Sequence, residues 1–141
     1  MSIPVTSLLI IASTNTLKYS NSNQFSGFTI PQLAAGEVRL ASSELGGTTV
    51  VQLSANGSKN LEDITPKDIS INVEPPNEGD AWLPSSFYVL AKGDVGDYQL
   101  VCSIPQWPVQ MWFSADPNDH RYPNAYSELN LSQVIDACNN I

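Results

Sequence analysis

The chain has 141 residues, of which 42% are hydrophobic and only 14% charged, with six Lys and Arg against fourteen Asp and Glu for a net charge of −8. The six cations (Lys18, Arg39, Lys59, Lys67, Lys92 and Arg121) are scattered along the chain, which argues against nucleic-acid or anionic-membrane partners, since both need clustered positive charge. The longest apolar run, residues 8–12, is far short of the ~20 residues that span a bilayer, and the length predicts one domain over residues 1–141.

In chain order, the first candidate element is a strand over residues 5–13. No Lys or Arg precedes its apolar stretch, so it is not expected to act as a signal peptide. Residues 17–24 (LKYSNSNQ) read as a polar loop, followed by a strand over 25–30. Residues 37–42 read as a strand with Val38 and Leu40 inward and Glu37 and Arg39 outward. After a Gly46-Gly47 turn, the β-branched stretch 48–54 predicts another strand, ended by Asn56-Gly57. Residues 68–74 alternate cleanly, with Ile69, Ile71 and Val73 on one face and Asp68, Ser70, Asn72 and Glu74 on the other. Pro75-Pro76 and Gly79 punctuate the passage to residues 86–92, where Phe87, Val89 and Ala91 share a side.

Gly93 and Gly96 then allow a tight turn into a strand over 97–104. The last predicted strand, 109–114, sets Val109, Met111 and Phe113 on one face and Trp112 with Gln110 on the other. Residues 114–127 read as a long loop. At the C-terminus Asn130 can cap a short helix with Gln133 as its box partner, and Leu131, Val134, Ile135 and Cys138 form one apolar stripe. That stripe is expected to cover an end or edge of a sheet, or to meet a neighbouring subunit. About eight short strands with frequent turns predict an all-β fold. The expected architecture is an antiparallel β-sandwich, immunoglobulin-like or jelly-roll-like, with one short C-terminal helix.

The segment Asp94-Val95-Gly96-Asp97-Tyr98, with Cys102 beyond it, resembles the tyrosine-corner region of immunoglobulin-like domains. It departs from that pattern in carrying Leu100 and in placing its Cys two residues late, with no upstream Cys to pair with. The resemblance implies a sandwich and no function. Tyr98 is expected to pack while its hydroxyl bonds to backbone. Cys102 and Cys138 fit no metal or redox spacing, which leaves either one disulfide or two free thiols.

Candidate chemistry is sparse. His120 is the only histidine and has no nucleophile motif to serve, so no catalytic residue and no enzyme activity is expected. Carboxylates gather at Glu74/Glu78/Asp80, Asp94/Asp97 and Asp116/Asp119, which are oxygen ligands of the type Ca²⁺ takes. Asp116-Pro-Asn118 starts like an EF-hand loop, but His120 stands at the next ligand position, and neither a metal site nor a cofactor is expected.

The aromatics carry more. Trp107 in the 104–108 turn, Trp112 on the outer side of its strand, Tyr122 and Tyr126, together with Leu131, Val134 and Ile135, are the expected contact residues. Lys and Glu are depleted at protein interfaces, and a surface this poor in charge suits one covered by neighbours. The expected function is therefore that of a non-enzymatic structural subunit of a virus or bacteriophage particle, such as a capsid decoration, tail or neck component, or spike. Its partners would be itself and other structural subunits. The alternative is a secreted, extracellular carbohydrate-binding (lectin-like) module that uses the same aromatics on a glycan, with or without Ca²⁺.

Overall fold

The computed structural model describes residues 2–74, 81–114 and 125–139. Within them the chain forms β1 (Ser7–Thr14), β2 (Ser26–Ile30), β3 (Ala34–Val38), β4 (Thr48–Ser54), β5 (Ser70–Val73), β6 (Pro84–Lys92) and β7 (Gln99–Ile104). Three short strands follow, β8 (Trp112–Phe113), β9 (Ala125–Tyr126) and β10 (Glu128–Asn130), and then helix α1 (Leu131–Asn139). Two four-stranded antiparallel sheets, ordered β4-β1-β6-β7 and β10-β5-β2-β3, make a β-sandwich. The exception is β8 with β9, a two-residue parallel pair.

Alternation decides what lies between the sheets. Leu8, Ile10 and Ala12 of β1, with Phe87, Val89 and Ala91 of β6, join Phe28, Ile30, Ile71, Val73 and Leu129 of the other sheet in one buried cluster. Strands β5 and β6 fall within the alternating stretches that predict them, give or take two residues at an end, and β4 matches the β-branched stretch 48–54. The turn glycines do as expected at Gly46, Gly57 and Gly96, all at positive φ.

Two strand assignments change. The predicted strand over 37–42 pairs earlier, as Ala34–Val38, and leaves the ladder after Val38 although Leu40 stays buried. The reason is a pair of side chains that take over the backbone partners. Thr49 Oγ1 donates to the Leu40 carbonyl at 2.6 Å, and the Ser42 N–H donates to Thr14 Oγ1 at 3.0 Å. The predicted strand over 109–114 shrinks to Trp112–Phe113, because Pro108 opens a turn closed by the Met111 N–H at 3.1 Å. Val109 is thereby 56% exposed, while Met111, Trp112 and Phe113 are all buried, so the two-face alternation is absent. The expected 17–24 loop is tied down along its length. The Ser22 N–H reaches the Ser42 carbonyl at 2.8 Å, and Ser20, Ser22 and Gln24 are buried.

Helix α1 is built as the sequence indicates. Asn130 Oδ1 accepts from the Ser132 N–H at 2.9 Å, and Gln133 Oε1 accepts from the Asn130 N–H at 2.9 Å, a reciprocal capping box. Asn130 Nδ2 also donates to the Lys67 carbonyl at 2.7 Å, which pins the helix start to the 3₁₀ turn Pro66–Asp68 beside edge strand β10. Asn130→Ala is expected to cost about 1 kcal/mol, measurable as a lower denaturation midpoint with an unchanged slope in urea.

Candidate functional site

Sheet β4-β1-β6-β7 shows an outer face with little charge. Directly opposed residues of an antiparallel pair point the same way, so the register places Val50, Ile11 and Tyr88 in one row and Gln52, Leu9, Leu90 and Leu100 in the next. Val50 is 61% and Leu100 56% exposed, and Leu9, Ile11, Tyr88 and Leu90 are half-buried. Polar groups border the rows: Ser13, Thr48 and Ser86 at one end, Ser7 and Ser54 at the other. None of the fourteen acids stands on these four strands, and Lys92 is their only cation.

Tyr98 closes one end of this face. Its hydroxyl shares a 2.6 Å hydrogen bond with Ser7 Oγ and accepts from Gln52 Nε2 at 3.3 Å, and Lys92 Nζ lies 5.3 Å from its ring centre. The expected bond from Tyr98 to backbone is therefore replaced by bonds to side chains, because the 93–98 turn lays the ring across the sheet. Gly93, at the start of that turn, lies close against the N-terminal segment, since a Cβ there would sit 2.8 Å from Ile3 Cγ2 and 3.0 Å from the Pro4 carbonyl oxygen.

The aromatic contact residues expected from the sequence lie elsewhere. Trp107 is 1% and Trp112 7% exposed. Trp107 packs against Phe87 at 5.8 Å and Phe113 at 5.7 Å between ring centres, and its Nε1 donates to the Met111 carbonyl at 2.8 Å. Neither ring offers a face to a sugar or a partner, since each has been drawn into the core. Leu131 and Val134 are likewise fully buried, so half of the four-residue helix stripe is spent within this chain's own fold. Ile135 and Tyr126 remain half-buried. Tyr122, His120, Glu78, Asp80, Asp116, Asp119 and the turn residues Pro75, Pro76 and Gly79 lie outside the described residues.

Two of the expected residues do meet, at a groove of about 630 Å³ between the 103–110 segment and the last turn of α1. Pro105, Pro108, Val109 and Ile135 line it, with Trp107 beneath and the Cys138 thiol at its side. Cys138 Sγ donates to the Gln106 carbonyl at 3.4 Å, and both cysteines are free thiols. Burial pushes the Cys102 thiol up to about 11 and raises that of Cys138. The folded state thus favours neutral Cys102. That contribution is intact below the ordinary thiol value of 9.0 and is lost as pH rises toward about 11. A thiol reagent at neutral pH is expected to modify Cys138 slowly and Cys102 only after unfolding, giving one equivalent in buffer and two in denaturant.

Among the described residues no group of three or more His, Cys, Asp or Glu is placed to hold a metal ion, and no helix is long and apolar enough to cross a membrane. Lys59 and Asp68 make an ion pair at 3.7 Å, carried by the segment between β4 and β5.

The outer face was missed from the sequence although its signal was present. In the run Leu8-Leu9-Ile10-Ile11-Ala12 both alternation classes are apolar, the pattern of a strand covered on both sides. Only one of those sides faces the sandwich core.

No family model matches the chain, and no curated protein matches it at a significant level. Among solved structures the chain is similar to the alpha toxin from Clostridium absonum, with a TM-score of 0.49 and 17% identity over 72% of this chain and 30% of that one. It is similar also to the Clostridium perfringens alpha-toxin from avian strain SWCP, with a TM-score of 0.49 and 18% identity over 70% of this chain and 29% of that one. The chain spans less than a third of the length of either toxin.

Proposed function

We propose that this β-sandwich is a non-enzymatic structural subunit that works through protein–protein contacts as one of many copies in a virus or bacteriophage particle. The observation that carries the reading is the outer face of sheet β4-β1-β6-β7, where Val50 and Leu100 are exposed beside half-buried Leu9, Ile11, Tyr88 and Leu90 and none of its strands carries an acid. Exposed apolar patches of more than a few hundred Å² mark interaction surfaces in soluble proteins. A net charge of −8 disfavours direct contact with nucleic acid, so an outer, tail or neck position suits the chain better than one against a genome. The contact residues in this reading are Val50, Leu100, Ile11, Leu9, Tyr88 and Leu90.

The test is the native assembly state. Mass measurement and imaging of the particle that contains the chain should find it in multiple copies, with the Val50–Leu100 face covered against hydrogen exchange. A chain that stays free of any particle in its native source removes the reading.

A further inference from the structure

We infer that Asn56 is a site of spontaneous deamidation that the folded chain holds shut, and that the reaction, once it has occurred, stops the 31–33 turn from being pinned again to the end of β4. Asn56-Gly57 is the only Asn-Gly pair in the sequence. Its chemistry is intramolecular. The Gly57 nitrogen gives up its proton to solvent and bonds to Asn56 Cγ, and the Cγ–Nδ2 bond breaks with ammonia as the leaving group. Water then opens the resulting succinimide. Breaking the new Cγ–N bond gives aspartate, and breaking the original peptide C–N bond gives isoaspartate, with the main chain rerouted through Cβ. The net change is amide plus water to carboxylate plus ammonium, with no oxidant or reductant. Glycine favours the attack because it sets no side chain beside the nitrogen. Space is open here as well, since even a Cβ at Gly57 would meet nothing nearer than 3.8 Å.

Hydrogen bonds, not burial, close the site, because Asn56 and Ser58 are both exposed to water. The attacking nitrogen is engaged: the Gly57 N–H donates to the Val5 carbonyl at 2.9 Å, a bond it must lose before it can lose its proton. The attacked amide is held at both ends. Asn56 Nδ2 donates to the Gln32 carbonyl at 2.9 Å, and Asn56 Oδ1 accepts from the Ser58 N–H at 2.9 Å. The Asn56 N–H donates to the Leu33 carbonyl at 3.1 Å, and Ser58 Oγ donates to the Gln32 carbonyl beside Nδ2. Attack therefore waits for this turn to open.

The same bonds make the product different from the starting chain. Gln32 sits at φ 68°, a left-handed conformation that costs a non-glycine residue energy and persists where its surroundings hold it. Two side-chain donors on its carbonyl do that holding. Aspartate has no proton to replace Nδ2 and sets a carboxylate oxygen against the Gln32 carbonyl oxygen. Isoaspartate adds one atom to the main chain between the Asn56 N–H on Leu33 and the Gly57 N–H on Val5, so the two bonds no longer fit one spacing. Each product loosens the link between the 31–33 turn, β4 and the N-terminal segment.

The experiment incubates the full chain at physiological temperature and mildly alkaline pH, in buffer and in parallel in unfolding guanidinium chloride. Peptide mapping then follows each asparagine, with the aspartate and isoaspartate forms separated. In denaturant, residue 56 is expected to convert fastest of the twelve asparagines, and in buffer its conversion should be at least about tenfold slower because it must wait for opening. Equal rates in the two conditions overturn the clamp, and a denatured chain in which another asparagine outpaces residue 56 overturns the site. A second arm measures hydrogen exchange in the product mimic Asn56→Asp. The amide of residue 56, bonded to the Leu33 carbonyl in the wild type, should exchange at least about tenfold faster, while the central β1 amides keep their protection. Wild-type exchange at residue 56 in this variant rejects the loosening of the turn. The incubation arm uses no variant, so it decides the deamidation site even where Asn56→Asp fails to fold.

Discussion

Trp82→Ala is expected to destabilise the fold by about 3–5 kcal/mol, lowering the melting midpoint by roughly 10 °C. Trp82 is fully buried and stacks on Phe113 with ring centres 5.5 Å apart and planes 18° apart. Its backbone exchanges two hydrogen bonds with Phe113, at 2.8 and 2.9 Å, and its Nε1 donates to Thr14 Oγ1 at 2.9 Å. Thr14 Oγ1 also accepts from the Ser42 N–H, so one hydroxyl ties β1, the segment after β3 and the entry to β6 together. The isosteric Thr14→Val is the sharper probe. It removes no packing volume but strands two donors, at about 1–3 kcal/mol for each that stays dry. Denaturant titration of both variants checks this, and a Thr14→Val midpoint equal to wild type would show that the hydroxyl does not organise this corner.

The second large effect is expected at Trp107. Truncation to Ala removes the ring that fills the space between Phe87 and Phe113, and it frees the Met111 carbonyl that accepts from Nε1. The cost is again about 3–5 kcal/mol, and Trp107→Phe should recover a large part of it. This variant also separates a core ring from a ligand platform. A Trp107→Ala protein with wild-type stability and altered sugar or partner binding would place the ring on the surface and contradict its burial. Because Trp82, Phe113, Trp107 and Phe87 touch in series, the double truncation at 82 and 107 should cost less than the sum of its parts.

What could be read from the chain was local. The β-branched stretch 48–54 became β4, and the alternating stretch 68–74 supplied β5 (Ser70–Val73), because both signals act between near neighbours in the chain. The capping box at Asn130 and Gln133 formed because its donors and acceptors lie within one helical turn. Residues 39–42 could not be read, since Thr14 and Thr49, distant in sequence, supply their backbone partners. The strand 109–114 failed for the opposite reason, a local turn at Pro108 that outweighed the alternation.

The alternation of apolar residues, the turn glycines and the Asn130–Gln133 box already indicated a β-rich chain with one short capped helix. Whether a given aromatic was core or surface was not written there. Periodicity sorts side chains into two faces without saying which face is covered, and cover is a property of what packs opposite. Tertiary structure alone sent Trp107 and Trp112 inward. It also paired Ile11 with Val50 and Tyr88 across three strands and brought Leu9, Leu90 and Leu100 into line beside them. Residues 40 to 90 positions apart became a single surface because β1 took the middle of its sheet, with both of its sides apolar and only one of them facing the core.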